Sequence, residues 1–388
     1  MQRTDSNKKI IFIILIAAVI GLALRIPFFA NETRDFDQYL SAWMNSMDSF
    51  GKFQRFGAYL GDYTCPYTYV LAAITLFPVN RLYAVKAVSV LFDFFLAYFV
   101  FDIVYNLTQN KTKAAFSYLV VFLCPTVIMD SAAWAQCDAI YTTFLIGTIA
   151  FILKDKPIKA SIMYGLAFAL KLQSIFIAPL FICLWLKKRI KIKHMLLIPL
   201  MYCLSVVPAL LAGRNFFSVF SVYFQQGTEY TNLSMNAPSL WGFAQDFKVE
   251  ETPILSLAGI GAAGLSVLIL LITVYRTKFT ISESQWLDLA CIFALIIPFL
   301  LPRMHERYFY PADILTITYA FNHKKRWYVP VLSISASIFT YLMYLLPSVF
   351  SDCKLWILSI AILASLIILI TGYYKDYYKS YDKKVRIN

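Results

Sequence analysis

The sequence predicts an all-α polytopic membrane protein, and three observations carry that prediction. The chain of 388 residues is 60% hydrophobic and only 15% charged, against roughly 25% charged residues in soluble domains. Apolar runs of membrane-span length recur from Ile10 almost to the C-terminus. The Lys/Arg clusters sit at the chain ends or between those runs, which is the pattern of membrane topology. The same clustering speaks against nucleic acid as the meaning of the formal net charge of +13. The seven cysteines, Cys65, Cys124, Cys137, Cys183, Cys203, Cys291 and Cys353, include no CxxC pair, and most fall inside apolar runs. They point to neither a metal site nor a disulfide framework.

Each element follows from the basic clusters. These lie at Arg3 to Lys9, Lys111 to Lys113, Lys154 to Lys159, 187–194 ("KKRIKIKH"), Arg276 to Lys278, 323–326 ("HKKR") and the tail from Lys375. With all of them cytoplasmic, spans are expected at roughly 10–29, 82–106, 114–129, 138–153, 158–171, 173–186, 194–211, 254–275, 285–301, 308–322, 328–346 and 354–373, about twelve in all. Both termini are then cytoplasmic, residues 1–388 form one transmembrane domain, and 374–388 is a basic cytoplasmic tail. The first run is read as a span, because no small-residue cleavage site follows it and further spans do. "PYTYVLAAITLFP", 66–78, holds about a dozen apolar residues and reads as a re-entrant or interfacial helix. As a full span it would put every later lysine cluster outside. Two outer loops are long, 30–81 and 212–253.

With this topology the unusual polar residues collect on the outer side: Asp35, Asp37, Asp62, Asp130, Gln136, Asp138, Lys171, Gln173, Asn236 and the run "RMHERY" at 303–308. Ionisable groups at membrane depth cost roughly 3 kcal/mol or more each. A shared outward cavity explains their presence in separate parts of the chain. Structural alternatives stand beside this: a solvated loop for Asp35 and Asp37, snorkelling for Lys171, an interfacial belt for Trp134. In "RMHERY", Arg303, His305 and Arg307 form a tight basic turn that suits the phosphate of an anionic lipid. The structural alternative is an ion-paired turn using Glu306. Lys171 is a further phosphate partner in this reading. Asp93 and Asp102 lie inside a predicted span and are the best support for a different class, a lipid or sugar transporter or flippase. An acyl- or phosphotransferase would need a nucleophile arrangement for which His305 alone is thin support.

Seven stretches, "RDFDQYLSAWM", "GDYTCPYTYVLA", "VSVLFDFFLAYFV", "CPTVIMDSAAWAQCDAIY", "ALKLQSIFIAP", "NLSMNAPSLWGF" and "PRMHERYFYPAD", occur in an order that resembles the GT-C glycosyltransferases. The likeness is greatest to bacterial membrane mannosyltransferase-like proteins and covers residues 34–313. The resemblance implies a GT-C fold with juxtamembrane helices in the first outer loop, and a bacterial cell-membrane enzyme whose active site faces away from the cytoplasm. It implies a polyprenyl-phosphate sugar as donor and a cell-envelope glycan, teichoic acid or glycolipid as acceptor. It also implies a catalytic carboxylate in the first outer loop, best matched by Asp35, with Asp37 as the second choice. The expected mechanism is inverting transfer, with Asp35 as base and Arg303, His305, Arg307 and Lys171 holding the leaving phosphate. Candidate substrate-binding residues are Asp62, Tyr63, Gln136, Asp138, Gln173, Asn236, Trp241, Glu306 and Tyr308. No cofactor is expected. A divalent metal at the "DFD" pair, Asp35 and Asp37, is a lesser reading, since no companion carboxylate cluster is evident.

Overall fold

The computed structural model describes residues 2–61, 63–226 and 230–385, so Asp62 lies outside the described residues. The chain is a helical multi-pass membrane protein. Among the described residues its strands amount to two residue pairs, Ser234–Met235 and Met304–His305, which run parallel to each other. Among the described residues, seven helices are long and apolar enough to cross a membrane: Lys8–Phe28, Arg81–Thr108, Ile192–Leu211, Pro253–Arg276, Glu283–Leu300, Lys324–Leu345 and Leu355–Tyr378. The pair Lys111–Phe122 and Pro125–Ala133, bent by 48°, makes an eighth if it is one span.

This differs from the expected twelve for a reason of length. The segments expected at 138–153, 158–171 and 173–186 do form apolar structure, over Asp138–Leu153, Pro157–Leu170 and Leu172–Leu186. They fall short of the roughly 20 residues that a hydrocarbon core demands. Tyr310–Asn322, at 13 residues, is shorter still. Asp138–Leu153 is buried on nearly every side by its neighbours, so protein rather than lipid surrounds it. The stretch 66–78 overlaps the 11-residue helix Cys65–Thr75, a length in keeping with the re-entrant or interfacial helix expected there. One further expectation needs adjusting. The final helix does not stop at the basic tail but runs from Leu355 to Val385.

The expected loop at 30–81 has its own apolar core. Phe36, Leu40, Met44 and Met47 pack with Leu60, Tyr67 and Leu71 against Leu82, Val85, Ala135 and Ile140. The loop is therefore a docked layer rather than a wet connection. Its starting point is set by Lys86, which is buried and donates to the carbonyls of Phe28 at 2.7 Å, Phe29 at 3.2 Å and Asn31 at 2.6 Å. A cation on carbonyls at a helix end satisfies those left without a backbone partner and complements the helix dipole.

Arg25 and Asp93 lock the first helix to Arg81–Thr108. Both are fully buried, and the guanidinium reaches Asp93 Oδ2 through Nε at 3.2 Å and Nη2 at 2.9 Å. It also donates to the carbonyls of Gly21 and Phe122, and Ser131 donates to the same Asp93 oxygen at 2.7 Å. Gly21 permits this approach: a Cβ there would lie 2.4 Å from the Phe122 ring. Asp102 is paired with Lys154. The two carboxylates that favoured a transporter are thus both engaged by cations.

Removing one partner of a buried pair typically costs about 3–5 kcal/mol, whereas replacing both with apolar residues is often neutral. Asp93→Leu should therefore lower the thermal unfolding midpoint in detergent sharply, and Arg25→Met/Asp93→Leu should restore most of it. Equal losses in the single and double variants would contradict a pair-specific role.

Candidate active site

A cleft of about 360 Å³ opens where the docked loop meets the segments 134–138, 170–173, 230–236 and 305–308. The chain is bent into it by unusual backbone. A wide π-helical turn spans Phe36–Ser41 directly after Asp35, and another spans Met129–Ala133 directly before Trp134. Such turns occur often at functional sites. Three non-glycine residues with positive φ flank the cleft: Ala135 at 65°, Asn236 at 59° and Arg303 at 63°. Backbone of this kind persists only where surrounding structure enforces it. Here the ties are Gln136 N–H to Asp130 C=O at 2.9 Å, Arg303 N–H to Leu233 C=O at 2.7 Å, and the strand pairing that continues to Asn236 and His305.

Asp35 is held from three directions. Trp134 Nε1 and Gln136 Nε2 each donate to Oδ2 at 2.9 Å, and the Tyr344 hydroxyl donates to Oδ1 at 2.5 Å. Tyr344 also stacks on Trp134, with ring centroids 4.2 Å apart at 13°. Three donors aimed at one carboxyl fix its orientation. Oδ1 carries a single hydrogen bond and keeps a free lone pair.

Arg307 joins the segments. Its guanidinium lies 3.8 Å from Asp35, 3.7 Å from Asp138 and 3.7 Å from Glu306, donates to Gln136 Oε1, and sits 5.0 Å over the Trp134 ring. Burial opposes its charge, but Asp138, Glu306, Tyr63 and Asp35 outweigh that and hold it protonated well above the ordinary arginine range. Lys171 is buried and donates to Asp138 Oδ1 at 2.7 Å, so it does not snorkel. Arg34, Lys171 and Arg307 face the cleft beside Asp35 and Glu306, and Asp138 pairs with Lys171 and Arg307 from behind.

Two aromatic walls complete it. Trp43 packs on Tyr63 at 5.3 Å and Tyr39 on Trp43 at 5.8 Å, while Tyr230 and Tyr308 flank His305 at 4.4 and 5.4 Å. Burial pushes the Tyr63 and Tyr308 hydroxyls up, so both remain protonated donors. Rings with polar tips suit an amphiphile such as a sugar or an isoprenoid head.

Of the residues singled out in the sequence, Asp35, Tyr63, Gln136, Lys171, Gln173, Asn236, His305, Glu306, Arg307 and Tyr308 line the cleft, and Asp138 lies behind Lys171 and Arg307. Asp37 does not line it; its backbone follows the π turn and its side chain is exposed. Arg303 is also off the lining, because the left-handed backbone at 303 breaks the basic turn into separate directions. Trp241 is elsewhere, buried beside Gly259, where a Cβ would meet it at 2.4 Å, with its indole N–H on Leu300 C=O at 2.9 Å. Asp130 is wholly buried rather than cavity-lining. Arg34, Gln38, Tyr39, Trp43 and Tyr344 also line the cleft, though no site role was assigned to them from sequence. Tyr341 and Tyr344, three apart in an apolar helix and both against Trp134, offered a signal.

No protein-family model matches the chain, and no curated protein is significantly similar to it.

In a variant lacking the native cysteines, Gln38→Cys, Asn236→Cys and His305→Cys should each react with a membrane-impermeant maleimide from the same face of sealed vesicles. Trp241→Cys should stay unreacted. Labelling of positions 38 and 305 from opposite faces would separate the two walls and dismantle the site.

Proposed function

We propose that the chain is an inverting glycosyltransferase that moves one sugar from a polyprenyl-phosphate monosaccharide to a hydroxyl of a glycan or glycolipid acceptor at the extracytoplasmic face of a bacterial cell membrane. The observation that supports this most is Asp35: an oriented carboxylate with a free lone pair, in a cation-lined, aromatic-walled cleft of a membrane protein. The order of motifs that resembles the GT-C enzymes supports the same reading.

In the proposed reaction the acceptor oxygen attacks C1 of the donor sugar, and its proton passes to Asp35 Oδ1. The C1–O bond breaks on the opposite side, and its electron pair leaves with the polyprenyl phosphate. A positioned base contributes roughly 10²–10⁴-fold. The leaving phosphate needs charge stabilisation more than a proton, which Arg34, Lys171 and His305 on the cleft lining can offer. Arg307 already faces three carboxylates, so its first task is to hold them in place. Its second is to counter charge growing on the phosphate.

The test is transfer of radiolabelled sugar from polyprenyl-phosphate donors to a membrane acceptor extract by the purified protein in nanodiscs. Asp35→Asn should lose roughly 10²–10⁴-fold in rate with folding intact, and Asp37→Asn should retain most activity. Full transfer by Asp35→Asn would refute the assignment of the base. Tyr344→Phe removes a hydrogen bond to a charged group, worth at least about 1.5 kcal/mol, and should slow transfer about tenfold. Arg34→Ala should raise KM for the donor more than it lowers kcat.

A further inference from the structure

A second cavity, of about 530 Å³, lies away from the cleft and shares no residue with it. It is formed where the start of helix Lys111–Phe122 meets the end of Tyr310–Asn322 and the start of the span Lys324–Leu345. Lys113 and Lys324 line it together with Asn110, Thr112, Phe116 and Trp327, and no carboxylate does. Phe116 is 49% exposed and Trp327 64% exposed, both beside a membrane-span terminus, where lipid rather than protein would cover them. Asn110 caps the helix, its side chain accepting from the Lys113 N–H at 2.9 Å, which holds the helix start open toward the same space.

Two ammonium groups in one cavity repel each other, and no acid on its wall offsets that repulsion. An anion would, and the aromatic rim restricts which kind. A free phosphate would leave Phe116 and Trp327 facing water, whereas a lipid phosphate brings hydrocarbon to cover them. Basic pockets between membrane helices have this general character. Both lysines belong to clusters, 111–113 and 323–326, that the excess of Lys and Arg in cytoplasmic loops places at the inner leaflet.

We propose that this cavity binds one anionic phospholipid of the inner leaflet, its phosphate between Lys113 and Lys324 and its acyl chains over Phe116 and Trp327. The site is independent of any reaction in the cleft. Occupied, it ties helix Lys111–Phe122 to the span Lys324–Leu345, which also carries Tyr344.

The full-length protein in detergent is titrated with fluorescent phosphatidylglycerol, with unlabelled phosphatidylglycerol, phosphatidylcholine and millimolar inorganic phosphate as competitors. Saturable binding is expected that only unlabelled phosphatidylglycerol displaces. Lys113→Gln or Lys324→Gln should each weaken binding roughly fivefold, and the double variant roughly thirtyfold. Lys113→Arg/Lys324→Arg should bind nearly as the natural protein does, which separates a charge effect from misfolding. Lys188→Gln/Lys193→Gln, removing equal charge from another cluster, should change nothing. Unaltered binding by the double Gln variant, equal loss in the Lys188/Lys193 variant, or displacement by inorganic phosphate would each overturn the lipid site.

Discussion

The guanidinium of Arg307 is the interaction on which the cleft depends. Three carboxylates, from the first loop, from the start of helix Asp138–Leu153 and from its own turn, stand within 3.8 Å of it. Unit charges about 4 Å apart attract by about 4 kcal/mol at an effective dielectric of about 20. That attraction offsets the cost of burying the acids and draws their chain segments to one point. Gln136 extends the arrangement by accepting from Arg307 with its oxygen while donating to Asp35 with its nitrogen. A planar fork with several fixed donors can serve such a cluster where a lysine could not.

The backbone bears the strain of this convergence. π-Helical turns on both sides and left-handed residues at Ala135, Asn236 and Arg303 aim the side chains. Packing enforces that geometry. Phe36 and Leu40 are buried in the core of the docked loop, and the 233–236 segment is hydrogen-bonded to 303–305. A rigid frame places Asp35 against Trp134, Gln136 and Tyr344 before any ligand arrives, so little reorganisation is left for binding.

Paired charge elsewhere has a different role. Arg25 with Asp93, Lys154 with Asp102, and Lys86 on the carbonyls of residues 28, 29 and 31 hold helices in register and set where the first loop begins. All of these groups except Lys154 fall inside spans, where an ionisable residue first reads as part of a path. Their partners make them structural, and the cleft draws its polar residues from span ends and loops instead.

Local chemistry along the chain was enough to determine the helical membrane character, the helix positions and most of the polar residues that meet in the cleft. Hydrophobic transfer adds up residue by residue, and a costly polar residue beside a span stands out without knowledge of its neighbours. Tertiary structure alone decided the pairings, because contacts between distant residues leave no trace in local spacing. Asp93 meets Arg25 across 68 positions and Asp35 meets Tyr344 across 309. It decided that Asp37 and Arg303 are off the cleft lining although they lie within four residues of Asp35 and Arg307, since one turn of backbone reverses a side chain's direction. It also decided that several short apolar segments are wrapped in protein, because length fixes what a helix can span while packing fixes what surrounds it.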